Sequence, residues 1–113
     1  MEEAITMDAL VELRSLMGEA LNEVLQTYID FIPGQIEELD EAITNNDADS
    51  VFNLAHKMKS SSSSIGARGV ASVAEQIEMI GRSGSTDGTA ELLDQLKNLY
   101  EGAETVLLEE LKK

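Results

Sequence analysis

His56 is the single histidine in 113 residues, and Lys59 and Ser60 follow it at the third and fourth positions. On a helix those spacings share one face. An imidazole beside an ammonium and a short hydroxyl side chain suits phosphoryl transfer to nitrogen. Neutral imidazole is a competent nucleophile near pH 7, and a cation alongside offsets part of the nearly two negative charges that a phosphoryl group brings. Phe52 and Asn53 sit one turn earlier, Lys57 adjoins the histidine, and Ser63 lies two turns later. An apolar ring next to an exposed imidazole suggests a docking surface for a second protein. The short side chains at Ser60 and Ser63 would let that protein's active site come close. His56, Lys59 and Ser60 are therefore the candidate chemical residues, and Phe52, Asn53, Lys57 and Ser63 the candidate docking residues.

Helical projection decides which way the imidazole points. Each residue turns about 100°, which sets Val51, Leu54, Ala55, Met58, Ser62 and Ile65 on one side of the segment. Leu54 and Met58 lie about 160° from His56, and Ile65 about 180°. The ring is thus expected to project away from the core.

Other chemistries find no support. There is no cysteine, which excludes a disulfide framework, a Cys-containing zinc site and a thiol nucleophile. A di-iron bundle needs two Glu-x-x-His motifs, and the one histidine here is preceded by Asn53. The stretch from Asn45 to Ser50 faintly resembles a calcium loop, but it has serine at the sixth position and His56 at the twelfth. No serine has a histidine and an acid in triad-like order. No Gly-rich phosphate loop or Walker-type motif is present, so the phosphoryl donor has to be another protein.

The elements that must position these residues read as helices throughout. Leu, Ala and Glu are abundant, and there is one proline and no strand-like alternation. The first helix is expected from about Thr6 to Met17, capped by Thr6 or Asp8, with Leu10, Leu13 and Met17 as its apolar stripe. The second runs from about Glu19 to Asn45. Its apolar positions Leu21, Val24, Leu25, Tyr28, Ile29, Ile32, Ile36, Leu39 and Ile43 step by three or four. The stripe stays in phase across Pro33, which favours one kinked helix over two. The third runs from about Ala48 to Ile65, capped by Asp47 or Asn46. The fourth runs from about Ala67 to Arg82, with Val70, Val73, Ala74, Ile77 and Ile80 inward. After a loop rich in Gly and Ser, the fifth runs from about Thr89 to Leu111. Four amphipathic helices with short connections imply an all-α fold, an antiparallel up-down four-helix bundle with a short extra N-terminal helix over one end.

Charge sharpens the picture. The net charge is −14, from 22 acidic and 8 basic side chains, which argues against nucleic acid and against anionic membranes. Residues 1–54 carry −12 and residues 83–113 carry −4, whereas residues 55–82 carry +2 and contain His56, Lys57, Lys59, Arg68 and Arg82. The one positive stretch is thus the one with the histidine. Leu, Ile, Val and Phe number 30, enough for a single modest core in one domain spanning 1–113. No apolar run approaches the roughly 20 residues that cross a bilayer. The acidic start lacks the charged and apolar regions of a signal peptide. A soluble, cytoplasmic protein is the expectation, and the starting Met and compact length favour a stand-alone chain.

The segment Ala55-His56-Lys57-Met58-Lys59-Ser60-Ser61-Ser62-Ser63-Ser64-Ile65-Gly66-Ala67 resembles the signature of histidine-containing phosphotransfer (HPt) domains, Ala-His-x-hydrophobic-Lys-Gly-Ser-Ser-x-x-hydrophobic-Gly-Ala. It matches at every specified position but one. The order and length of the helices also look like that family, so the resemblance covers nearly the whole chain. It implies a monomeric bundle that carries phosphate on a ring nitrogen of His56, usually Nε2. It implies a shuttle between the receiver domains of a hybrid sensor histidine kinase and of a response regulator, where an aspartate donates or accepts. No cofactor of its own is implied, since magnesium and the catalytic machinery would belong to the receiver. Lys59 matches the family's lysine that steadies the phosphoryl group.

Two positions depart from the pattern. Ser60 stands where the family most often has glycine, and its hydroxymethyl group either bonds the imidazole or phosphate or restricts which receivers dock. Glu78 stands where the family often has a glutamine that supports the histidine. An acid there can accept a bond from the imidazole N–H and orient the ring, but would repel a phosphate placed too close. Glu78 is grouped with the docking residues. The contrasting reading is a non-catalytic acidic helical adaptor, or a degenerate HPt fold that binds receivers without carrying phosphate. An adaptor has no need of an exposed imidazole beside an ammonium.

Overall fold

The helix that carries His56 has defined ends. Asp47 caps its start, its carboxylate accepting from the Ser50 backbone N–H at 3.2 Å and from the Ser50 hydroxyl at 2.6 Å. Gly66 closes it at φ 80, a left-handed conformation that glycine adopts without a Cβ clash. The Ala67 N–H then returns to the Ser62 carbonyl at 2.9 Å, and that of Gly66 to Ser63 at 3.2 Å. These two bonds satisfy the last carbonyls of the helix.

The computed structural model describes residues 7–113. Five helices follow one another: α1 (Met7–Met17), α2 (Ala20–Thr44), α3 (Ala48–Ser64), α4 (Arg68–Arg82) and α5 (Thr89–Leu111). The expected boundaries hold to within a residue or so. Thr6, one of the two expected caps of α1, lies outside the described residues, and Asp8 is already inside the first turn.

α2 packs on α3, α3 on α4, α4 on α5 and α5 on α2, with no close backbone approach between diagonal helices among the described residues. The short connections reverse the chain at each step, which gives the antiparallel four-helix ring. Its interior holds Leu21, Leu25, Ile32 and Leu39 of α2, Val51, Ala55 and Met58 of α3, Val70, Ala74 and Ile77 of α4, and Leu93, Leu96 and Leu107 of α5. Burying one such Leu or Ile is worth about 1.5–3 kcal/mol, so these stripes rather than helix propensity hold the ring. α1 lies across one end. Leu10 is buried there, and Arg14 joins Glu110 of α5 at 3.0 Å and Asn22 of α2 at 3.0 Å.

α2 continues through Pro33 as a single helix. Proline has no N–H for the Ile29 carbonyl. The Tyr100 hydroxyl of α5 reaches that carbonyl at 3.4 Å. Some stripe positions differ from expectation. Val24 and Met17 are more than a third exposed, because Leu21, Leu25 and Tyr28 already fill the inner face and leave Val24 on its flank.

A second polar link crosses the core. The Tyr28 and Ser62 hydroxyls lie 2.7 Å apart, joining α2 to α3, and burial pushes the Tyr28 phenol up to about 12. Tyr28→Phe leaves the Ser62 oxygen without its partner across the bundle and is expected to cost about 1 kcal/mol in urea unfolding. Adding Ser62→Ala should then cost less than it does in the wild-type background, so equal costs would count against the pair.

Candidate functional site

α3 and α4 share the seam on which the site is built. His56 sits midway along α3 with its side chain 55% exposed, so the ring projects out of the bundle as its helical phase requires. Glu78 of α4 is the opposite case, a carboxylate only 3% exposed. Its Oε2 lies 2.9 Å from His56 Nδ1, and its Oε1 stands 2.6 Å from Lys59 Nζ. The lysine contact is an ion pair off the line of a directed hydrogen bond. Arg82, one turn after Glu78, approaches Oε2 to 3.9 Å.

This arrangement settles the imidazole's two nitrogens. An ionised carboxylate only accepts hydrogen bonds, so Nδ1 bears the proton and donates to Glu78. In the neutral ring the lone pair is then on Nε2, on the edge away from the buried acid. The Lys59 ammonium is the largest influence holding the Glu78 carboxyl below its usual range. Burial opposes this, and the imidazole N–H adds to the lysine. Two partners within 3 Å outweigh the desolvation of one carboxylate.

Phe52 completes the seam. Its ring lies 6.1 Å from that of His56 with the planes 21° apart, and the Arg82 guanidinium carbon stands 5.6 Å from its centre. Among the described residues, no group of three or more acids or histidines is placed to hold a metal ion. No described helix is long and apolar enough to cross a membrane.

The Hpt domain family model matches residues 23–106, which include α3, α4 and every residue of this seam. The chain belongs to the Hpt domain family. Its fold is similar to that of histidine-containing phosphotransfer protein B from Pseudomonas aeruginosa, with a TM-score of 0.92 at 20% identity over 99% of this chain and 97% of that one. A proposed histidine-containing phosphotransfer protein from rice gives 0.83 at 21% identity over 96% of this chain and 80% of that one. A comparison with curated protein sequences returns no match. Membership gives the chain a phosphorelay HPt role; Hpt domains are phosphoryl carriers that work with receiver domains.

Within this Hpt fold the expected residues separate into groups. His56 and Lys59 converge on Glu78. Ser60, Ser63, Asn53 and Lys57 are exposed on the outer face of α3 and bond to none of these three. Phe52 is half-buried against His56 and Arg82 rather than free-standing. Glu78 cannot be a docking residue: at 2% exposure it offers a partner no surface, and it acts by holding the ring from beneath. Sequence reasoning missed Arg82 as part of the site, although its spacing of four from Glu78 was a readable signal.

The lowered Glu78 carboxyl has a pH signature. A carboxyl depressed on folding adds stability above its unfolded value, near 4.5, and loses it as pH falls through the folded value. The stability advantage of wild type over Glu78→Gln should therefore shrink as pH is lowered from about 6 to about 3. Chemical denaturation at a series of pH values checks this, and a constant gap would mean that the acid is not ionised against its partners.

Proposed function

We propose that His56 is the phosphoacceptor of this Hpt domain, with Nε2 as the reacting atom. The observation that carries this reading is the 2.9 Å contact of Nδ1 with buried Glu78 on a ring that is half exposed. The lone pair of Nε2 attacks the phosphorus of a receiver's aspartyl phosphate. The N–P bond forms as the P–O bond to the aspartyl oxygen breaks, and the carboxylate leaves with that electron pair. No proton has to move, because Nδ1 keeps its own. The phosphorylated ring is then cationic, and the Glu78 carboxylate faces that charge. A cationic ring is a good leaving group, so the same arrangement lets the phosphoryl group pass on to a second receiver aspartate.

Lys59 steadies the phosphoryl oxygens. In the resting site its ammonium is held by Glu78 Oε1 at 2.6 Å, one helical turn from the acceptor. Transfer requires it to turn from a buried carboxylate toward the incoming group. Ser60 tunes how closely a receiver seats, and Asn53, Lys57 and Ser63 form the docking face, bordered by Phe52. The partners are the receiver domains of a hybrid sensor kinase and of a response regulator, which bring the magnesium and the catalytic groups. The chain works as a cytoplasmic monomeric carrier.

Incubation with a receiver charged by radiolabelled acetyl phosphate should give acid-labile, base-stable label on wild type and none on His56→Gln. Equal labelling of the two removes His56 as acceptor. Lys59→Ala should keep the helical circular dichroism signal while transfer slows by about tenfold or more. Unchanged kinetics would take Lys59 out of the site. Ser60→Gly should fold normally and accept label from more members of a receiver panel.

A further inference from the structure

The contact between His56 and Glu78 requires α3 and α4 to lie very close. The buried residues of the two helices include small ones, Ala55 on α3 and Gly69, Ala74 and Gly81 on α4. The tightest point is Gly81. A Cβ built there would fall 2.8 Å from the Phe52 nitrogen, 3.0 Å from the Ala48 carbonyl oxygen and 3.1 Å from the Phe52 Cα. All three are backbone atoms of α3, so none can rotate aside. Gly81 stands one turn after Glu78 on α4, and Phe52 one turn before His56 on α3. The helices thus touch backbone to side-chain-free backbone one turn from the pair that prepares the imidazole.

A glutamate has a fixed reach. Oε2 already makes a short 2.9 Å contact with Nδ1 while Oε1 meets Lys59 from the other side. Any side chain at position 81 must push α4 outward by several tenths of an ångström or more, since real Cβ atoms do not approach backbone this closely. Glu78, three residues away on the same rigid helix, moves with it.

We infer that Gly81 is a positioning residue for phosphoryl transfer: its missing side chain sets the α3–α4 distance that lets Glu78 hold the proton on His56 Nδ1 and leave Nε2 free. This rests on His56 being the acceptor, and the test separates the two. The primary readout is the ring tautomer of unphosphorylated protein, read from the ¹⁵N chemical shifts of the two His56 nitrogens. The second is the rate of His56 labelling by phosphoramidate, a small donor that needs no docking surface. Gly81→Ala should shift the tautomer from Nδ1–H toward a mixture and slow labelling by about tenfold or more. Leu107→Ala is the control for general loosening, because it opens the core on α5, whose backbone does not come close to that of α3. It should lower thermal stability and leave the tautomer as in wild type.

A folded Gly81→Ala with wild-type shifts and labelling overturns the inference, and so does a Leu107→Ala variant with the same tautomer change. If Gly81→Ala does not fold, Glu78→Asp decides. It retracts the carboxylate by one methylene and leaves the seam intact, so it should reproduce the tautomer change. Wild-type shifts in Glu78→Asp would show that close approach is not needed. Failure of wild type to take label on His56 would defeat the carrier reading instead, and leave the tautomer result standing by itself.

Discussion

A buried carboxylate without compensation is among the most expensive groups a small protein can hold. Glu78 is such a group, and everything around it answers to its charge. His56 donates to one oxygen, Lys59 pairs with the other, and Arg82 adds positive charge from the surface. The same contacts that make the acid tolerable also prepare the imidazole. The proton is pinned on the inner nitrogen, and the neutral ring carries its lone pair on the other. Stability and the proposed reactivity therefore rest on one interaction, around which Lys59 and Arg82 of the chain's positive stretch gather.

Holding that carboxylate in place is the task of the α3–α4 pair. α2 and α5 close the ring and supply most of the large apolar side chains, but they contribute no polar atom to the seam. The division of labour follows from residue size. Leu and Ile keep helices about 8–10 Å apart, whereas Ala, Ser and Gly let two backbones meet. The chain places its small residues on the side that needs short polar contacts and its large ones where only burial is required.

Much of this was readable from residue order alone. The five helices follow from apolar steps of three and four and from the capping residues Asp47 and Gly66, because both signals are local. The outward projection of His56 follows from its phase against Met58 and Ile65. The partnership with Glu78 was reachable only through family resemblance, since 22 residues and a turn separate the two, and nothing in either segment states the distance between their helices. For the same reason Glu78 was first grouped with docking residues, when burial makes it a support. Phe52 looked like a free apolar ring because its neighbours in space, His56 and Arg82, come from two helices. The close approach at Gly81 had no local sign at all. A glycine within a helix is as consistent with a weak spot as with a contact.

The ring of helices has a topological effect on how His56 is embedded in a larger assembly. α1 and the last turn of α5 are tied together by Arg14 and Glu110 at one end of the bundle, and neither α1 nor α5 brings its backbone close to that of α3. Forces acting on α1 or α5 thus reach the helix of His56 through packed side chains or through α2 and α4. A carrier built this way can be tethered, tagged or joined to other domains through α1 or α5 while His56 keeps the same environment.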